Sequence, residues 1–163
     1  MKMGKETWLL RNALLAAVYA ALTLGLAPLS YGPVQVRFSE CLTLLAFYNP
    51  KWIPGLTAGC FLANLGSPFG LPDMLLGTLA TFLGIWPMHR MKSPYLASLC
   101  PAVSNGILIG AELEVLAALP PDLSLGAAMI YIGAGEFLSV TVLGNLLLKM
   151  VMKNETCKRI LME

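Results

Sequence analysis

Residues 38–65 read FSECLTLLAFYNPKWIPGLTAGCFLANL, an apolar stretch that the polar turn Asn49-Pro50-Lys51-Trp52 divides near its middle. As one helix, this stretch would place Lys51 at the centre of a membrane, where a lysine is costly, and the prolines would interrupt the helix. The sequence therefore predicts two short helices, 38–48 and 52–65. Both are shorter than the roughly 20 residues that a spanning helix needs, so we expect the preceding loop to fold partly into the protein.

Longer apolar stretches lie on both sides of this pair, at 8–27, 71–88, 95–118 and 123–152. The chain is 57% hydrophobic and 12% charged, whereas a soluble domain has about a quarter of its residues charged. These features predict an all-α integral membrane protein. We expect one domain over residues 1–163, a bundle of six transmembrane helices.

The basic residues decide between six membrane spans and five. With six spans, ten of the eleven Lys and Arg residues lie on one side, and only Arg37 lies on the other. With five spans, Arg90, Lys92 and the basic C-terminal segment would change sides. Because membrane proteins retain Lys and Arg in their cytoplasmic segments, the sequence predicts six spans with both termini in the cytoplasm, in the cell membrane.

Several classes of function find no support in the sequence. The four cysteines form no CxxC pair, so a zinc or redox site is not expected. The predicted spans contain no nucleophile–base pair that would indicate an enzyme. The basic residues also form no patch of the kind that binds nucleic acid. The chain also lacks a phosphate-binding loop. We therefore expect no cofactor and no metal, and uphill transport would need energy from another subunit.

Acidic side chains inside the predicted helices are the main candidates for a site. Asn105 and Glu112 are seven residues apart and share a helix face, and Glu136 lies well inside the last span. An ionisable group within a span is a functional candidate because its burial is costly unless it is paired. The outer half is acidic overall and suits a cationic or multi-donor ligand. Its acidic residues are Glu40, Asp73, Glu112, Glu114, Asp122 and Glu136.

The loop 31–40, YGPVQVRFSE, is the most polar connection in the chain. Gln35, Arg37 and Glu40 are candidates to close over a substrate. The alternative is local: Ser39 or Glu40 caps the following helix, or Glu40 pairs with Arg37. Tyr131 is a candidate aromatic platform for a ligand.

The first helix carries alanines at spacings of three and four: Ala13, Ala16, Ala17, Ala20 and Ala21. Small residues at this spacing allow helices to approach closely in lipid. The alanines either pack inside the protein's own bundle or form a docking face for another membrane subunit.

Three runs carry a resemblance to a known family: ALLAAVYAALTLGLAPLSYGPVQVRFSE at 13–40, LTLLAFYNPKWIPGLTAGCFLANLGSPFGLPDMLLGTLATFLG at 42–84 and NGILIGAELE at 105–114. They resemble the QueT transporter family, substrate-binding (S) components of energy-coupling factor (ECF) transporters. The resemblance covers nearly the whole chain and is strongest in the first half.

The resemblance implies a six-helix S-component fold with a substrate pocket near the outer face. It implies docking of the alanine surface on a transmembrane coupling protein, with two cytoplasmic ATPase subunits using the ATP. The implied ligand is the queuosine precursor 7-aminomethyl-7-deazaguanine (preQ1). The alternatives are an S component for another vitamin-like amine or a nucleobase, a small integral-membrane enzyme, and an assembly protein that uses only its alanine face.

Overall fold

The computed structural model describes residues 4–30 and 37–162, and this part of the chain forms helices and no strand. Its longer helices are labelled here in chain order. They are α1 Lys5–Gly25, α2 Phe38–Tyr48, α3 Ile53–Asn64, α4 Leu71–Ile85, α5 Pro94–Val115, α6 Leu125–Val151 and α7 Glu155–Met162. Short helical turns at Ala27–Ser30, Pro50–Trp52 and Met88–Arg90 lie between them.

The predicted all-helical fold is confirmed. The helices α1, α5 and α6, together with Leu71–Arg90, are long and apolar enough to cross a membrane, and each lies on a predicted span. The shorter α2 and α3 coincide with the two short helices predicted on either side of Lys51. That α2 and α3 also count as crossings, giving six, stays a prediction.

Local sequence signals set where the helices begin. The Ser93 hydroxyl accepts a hydrogen bond from the Leu96 backbone N–H (3.2 Å), and Pro94 occupies the first position of α5. Ser124 likewise accepts from the Ala127 N–H (3.3 Å) at the start of α6. Serine satisfies an otherwise unpaired N–H there, and a proline at the first position lacks only a donor that would be unpaired anyway.

Close contact between α1 and α3 depends on glycines in α3. The Gly55 N–H donates to the side-chain oxygen of Asn12 (2.8 Å). A Cβ added at Gly59 would lie 2.8 Å from Cβ of Tyr19 and 3.0 Å from Cα of Ala16. Only glycine leaves room for this approach, which is how helices pack tightly in lipid.

Glycines also bring the later helices together. A Cβ at Gly84 in α4 would lie 2.7 Å from Cα of Pro101 in α5, and one at Gly106 in α5 would lie 2.8 Å from the Met129 carbonyl of α6. The helices α4, α5 and α6 therefore pack in sequence order. Their close contact positions Asn105 of α5 beside Glu136 of α6.

One end of the bundle gathers the basic segments. Its cross-links are Trp8 Nε1 to the Lys51 carbonyl (3.2 Å), Arg11 to the Ile160 carbonyl (3.3 Å), Trp52 Nε1 to the Leu161 carbonyl (3.0 Å) and Lys149 Nζ to the Tyr95 hydroxyl (2.9 Å). The start of α1, the turn between α2 and α3, and α7 thus meet at this end, beside the start of α5. Within the described residues, the structure brings together basic segments that the charge pattern places on one side. Which side of the membrane they face stays a prediction.

Candidate functional site

Buried polar side chains meet in the interior, around Glu40 of α2. Glu40 is fully buried; Tyr19 donates a hydrogen bond to its Oε1, and Thr81 donates to the same oxygen at 3.3 Å. Tyr19 and Thr81 are also fully buried. Sequence reasoning placed Glu40 in a loop over the substrate or at a helix cap; instead its side chain lies in the core of the bundle.

Glu136 and Asn105, two of the residues predicted to line a substrate cavity, lie beside Glu40. The Asn105 side-chain amide donates to Glu136 Oε1 at 3.1 Å, and both residues are buried. The carboxyl groups of Glu136 and Glu40 lie close enough to interact electrostatically. We call Tyr19, Glu40, Thr81, Asn105 and Glu136 the carboxyl centre.

Irregular helix segments lie at or close to both glutamates of the carboxyl centre. Glu40 lies in a 3₁₀ segment, Phe38–Leu44, and Glu136 lies in regular helix two residues before a π-helical segment, Leu138–Gly144. The two segments touch where a Cβ at Gly144 would lie 3.0 Å from the Cys41 carbonyl. Interruptions of this kind within a helix often mark functional sites, and here they bring two carboxyl groups from distant parts of the chain together.

Arg37 occupies a separate buried cluster, only 4% exposed. Its guanidinium lies 3.8 Å from the Asp73 carboxylate, donates to Asn64 Oδ1 (3.2 Å) and donates to the Ser30 carbonyl (3.4 Å). Burial opposes its charge, but Asp73 and further acidic groups keep the pKa of Arg37 above its ordinary value. A local Arg37–Glu40 pair was one alternative from the sequence; the ion pair within 4 Å that the structure shows is Arg37–Asp73, which ties the start of α2 to α4.

Glu112 is buried, at 3% exposed, on the face of α5 that also carries Asn105. Within the described residues, neither of its carboxylate oxygens has a hydrogen-bond partner. Glu114, two residues further on, is exposed, which confirms the predicted difference between these glutamates. Glu112 is therefore a buried acidic group whose hydrogen-bonding capacity is not used within the described bundle.

The remaining predicted ligand residues do not join the carboxyl centre. Tyr131 is 47% exposed, on the outer side of α6, and the described contacts give it no link to the centre. Gln35 lies outside the described residues. Contact of Tyr131 or Gln35 with a substrate stays a prediction.

Sequence reasoning missed Tyr19 and Thr81, whose hydroxyls hold Glu40. A signal was present in α1, where Asn12, Tyr19 and Thr23 recur at helical spacing along one face. All three are buried, and the Thr23 hydroxyl lies 2.6 Å from that of Ser39 in α2. A polar stripe on an apolar spanning helix indicates the face that lies inside the bundle.

The structure divides the alanines of α1 into a buried row and an exposed row. Ala16 and Ala20 are 5% and 9% exposed and pack inside the bundle, so they are not available to a partner, contrary to one part of the prediction. Ala13, Ala17 and Ala21, on the neighbouring side of the helix, are exposed. We call these three residues the outer alanine face.

A groove of about 950 Å³ also lies between α3 and α4, and its lining residues differ from those of the carboxyl centre. Apolar side chains dominate its walls, among them Phe61, Phe82 and Trp86. No member of the carboxyl centre lines it. The groove is thus an apolar surface feature and not part of the polar site.

Comparison with known proteins gives a family match. The family described as QueT transporter matches residues 9–153 of the chain. The queuosine precursor transporter QueT of Lactococcus lactis subsp. cremoris (strain MG1363) is 40% identical over 101 residues. That alignment covers 58% of this chain and 59% of the relative's length. No solved structure matches the chain.

Proposed function

The chain belongs to the QueT transporter family, and from this premise we propose that it is the substrate-binding component of an ECF-type importer. The family is one of transporters and not of enzymes, in agreement with the expectation from the sequence. Four described helices of the chain are long and apolar enough to cross a membrane, in agreement with a membrane protein. The proposal is supported mainly by the set of buried carboxyl groups. Burial of such groups inside a membrane bundle is costly unless they are paired, and their presence there indicates a site for a ligand or a partner.

The ligand that we propose is preQ1, 7-aminomethyl-7-deazaguanine. The relative's name refers to a queuosine precursor, and preQ1 combines a guanine-like donor edge with an ammonium group. Carboxyl groups accept hydrogen bonds from paired N–H donors and also bind ammonium groups. Glu40, Glu112 and Glu136 supply buried acceptors of this kind, with Asn105 beside Glu136.

The loop before α2 is the proposed cover of the site, with Gln35 in its middle and Arg37 at its base. The Arg37 contacts with Ser30, Asn64 and Asp73 support a role as an anchor that fixes the base of this loop. In this arrangement, the loop closes over the ligand while Arg37 stays in place. Tyr131 is retained only as a candidate contact.

Energy for uptake comes, in this proposal, from partner subunits, because the sequence contains no phosphate-binding loop. The partners are a transmembrane coupling protein and two cytoplasmic ATPase subunits, which alone use ATP. The outer alanine face is the proposed docking surface, since its small side chains permit close helix approach in lipid. The basic end of the bundle faces the cytoplasm of the cell membrane, which follows from the retention of Lys and Arg on that side.

Direct binding tests the substrate proposal. The full chain, purified in detergent, is titrated calorimetrically with preQ1, and we expect saturable binding at one site per chain. Glu136→Gln removes an acceptor of the carboxyl centre and should weaken binding by about 30-fold or more, since loss of one partner of a desolvated charged contact costs about 2–5 kcal/mol.

Glu114→Gln is the matched control, because Glu114 is an exposed glutamate on the same helix as Glu112. Its affinity for preQ1 should equal that of the unmodified chain. Saturable binding of another vitamin-like amine or a nucleobase, with none of preQ1, would replace the substrate while keeping the class of protein. Absence of binding by all of these ligands would contradict the substrate-binding role.

A further inference from the structure

Glu112 differs from Glu40 and Glu136 in having no hydrogen-bond donor among the described residues. It is 3% exposed, and both of its oxygens lack a partner among the described residues. The charged groups that interact with it most strongly are Asp73 and Arg37, and Arg37 is already engaged with Asp73 at 3.8 Å. A buried carboxylate in this position is unfavourable unless a cation pairs with it.

The carboxyl centre, in contrast, is a hydrogen-bonded array. Glu40 accepts from Tyr19 and Thr81, and Glu136 accepts from Asn105. One oxygen of Glu40, Oε2, accepts from no described donor group. Fixed donors thus lie on one side of this array and an acceptor without a described donor on the other. Such an arrangement can bind the edge of a planar base through directional hydrogen bonds.

The distance between the two sites follows from α5. Asn105, which contacts the carboxyl centre, and Glu112 lie on one face of this helix, seven residues apart. A rise of 1.5 Å per residue separates their levels by about 10 Å. This separation suits a bicyclic base with a one-carbon arm, whose donor edge and ammonium group lie at opposite ends.

We propose that Glu112 binds the ammonium group of the ligand, while the carboxyl centre binds the donor edge of the base. This assignment rests on the proposed function. Glu112 then determines selectivity for the aminomethyl compound over 7-cyano-7-deazaguanine. The second compound has the same base but carries a neutral nitrile in place of the charged aminomethyl group. The carboxyl centre contributes equally to the binding of both compounds.

The experiment is a titration of the full chain in detergent with each of the two compounds, up to their solubility limits. The unmodified chain should prefer the aminomethyl compound. In Glu112→Gln, affinity for the aminomethyl compound should fall by about 30-fold or more, while affinity for the nitrile stays within about threefold, so the preference is lost. Glu136→Gln should weaken both compounds by similar factors and keep the preference.

Folding is checked separately. Because the Glu112 carboxylate has no hydrogen bond to lose within the described residues, ligand-free Glu112→Gln should melt at the same temperature as the unmodified chain, or higher. The assignment is overturned if Glu112→Gln weakens both compounds equally, or if Glu136→Gln alone abolishes the preference. If the unmodified chain binds neither compound, the proposed function fails, and this outcome is distinct from a lost preference with binding intact.

Discussion

Replacement of Asp73 by asparagine removes the carboxylate partner of a buried arginine. In Asp73→Asn, the guanidinium of Arg37 stays inside the bundle, with a side chain only 4% exposed, and loses an ion pair of 3.8 Å. Removal of one member of a buried ion pair destabilises a protein by about 3–5 kcal/mol. Hydrogen bonds from Arg37 to Ser30 and Asn64 remain, so we expect the lower end of this range, about 3 kcal/mol.

The expected shift in melting temperature follows from the size of the chain. For a protein of this length, 1 kcal/mol corresponds to about 2–4 °C, so the midpoint should fall by about 6–12 °C. The measurement is heating of the purified protein in detergent with a thiol-reactive dye. Cys60 is fully buried and lies against Asn64. In a chain whose other cysteines, Cys41, Cys100 and Cys157, are replaced by serine, its reaction with the dye reports opening of the region that Arg37 holds.

A second ion pair in the same chain gives the matched control. Glu155 and Lys158 approach to 3.5 Å on α7, but their side chains are 84% and 48% exposed. Exposed pairs contribute little, so Glu155→Gln should shift the midpoint by no more than about 2 °C. If Asp73→Asn melts like the unmodified chain, or if the two variants shift equally, the Arg37–Asp73 pair does not stabilise the bundle.

Three further predictions concern packing, docking and topology. Ala17→Trp, on the outer alanine face, should abolish uptake in cells that contain the coupling and ATPase subunits, while preQ1 binding by the isolated protein survives. Ala16→Trp, inside the bundle, should instead unfold the isolated protein. Normal uptake by Ala17→Trp would contradict the docking surface. Gly59→Val should lower stability by about 1–3 kcal/mol or more through overpacking against α1, measured by thermal melting, whereas Gly126→Ala, with open space around it, should not. A cysteine at Met91, in a chain without its native cysteines, should resist external labelling in intact cells, and efficient labelling there would reverse the proposed orientation.

Composition and short-range periodicity were enough to predict several features of this fold. Apolar length identified the long helices, and the Asn49–Trp52 turn separated α2 from α3, because proline and lysine interrupt an apolar helix wherever it lies. Helical spacing placed Asn105 and Glu112 on one face of α5, and it distinguished buried Glu112 from exposed Glu114. These conclusions need no knowledge of which helices are neighbours.

Which buried groups meet depends on the packing of helices that are distant along the chain. Glu40 and Glu136 are 96 positions apart along the chain, and nothing in their local sequences indicates that their carboxyl groups interact. The pairing of Arg37 with Asp73 instead of Glu40 likewise depends on how α2 packs against α4. The alanines of α1 have nearly the same local pattern in both registers, and the close approach of α3 at Gly59 selects the inner one. The physical reason is the same in each case: burial and pairing energies depend on neighbours that chain distance does not specify.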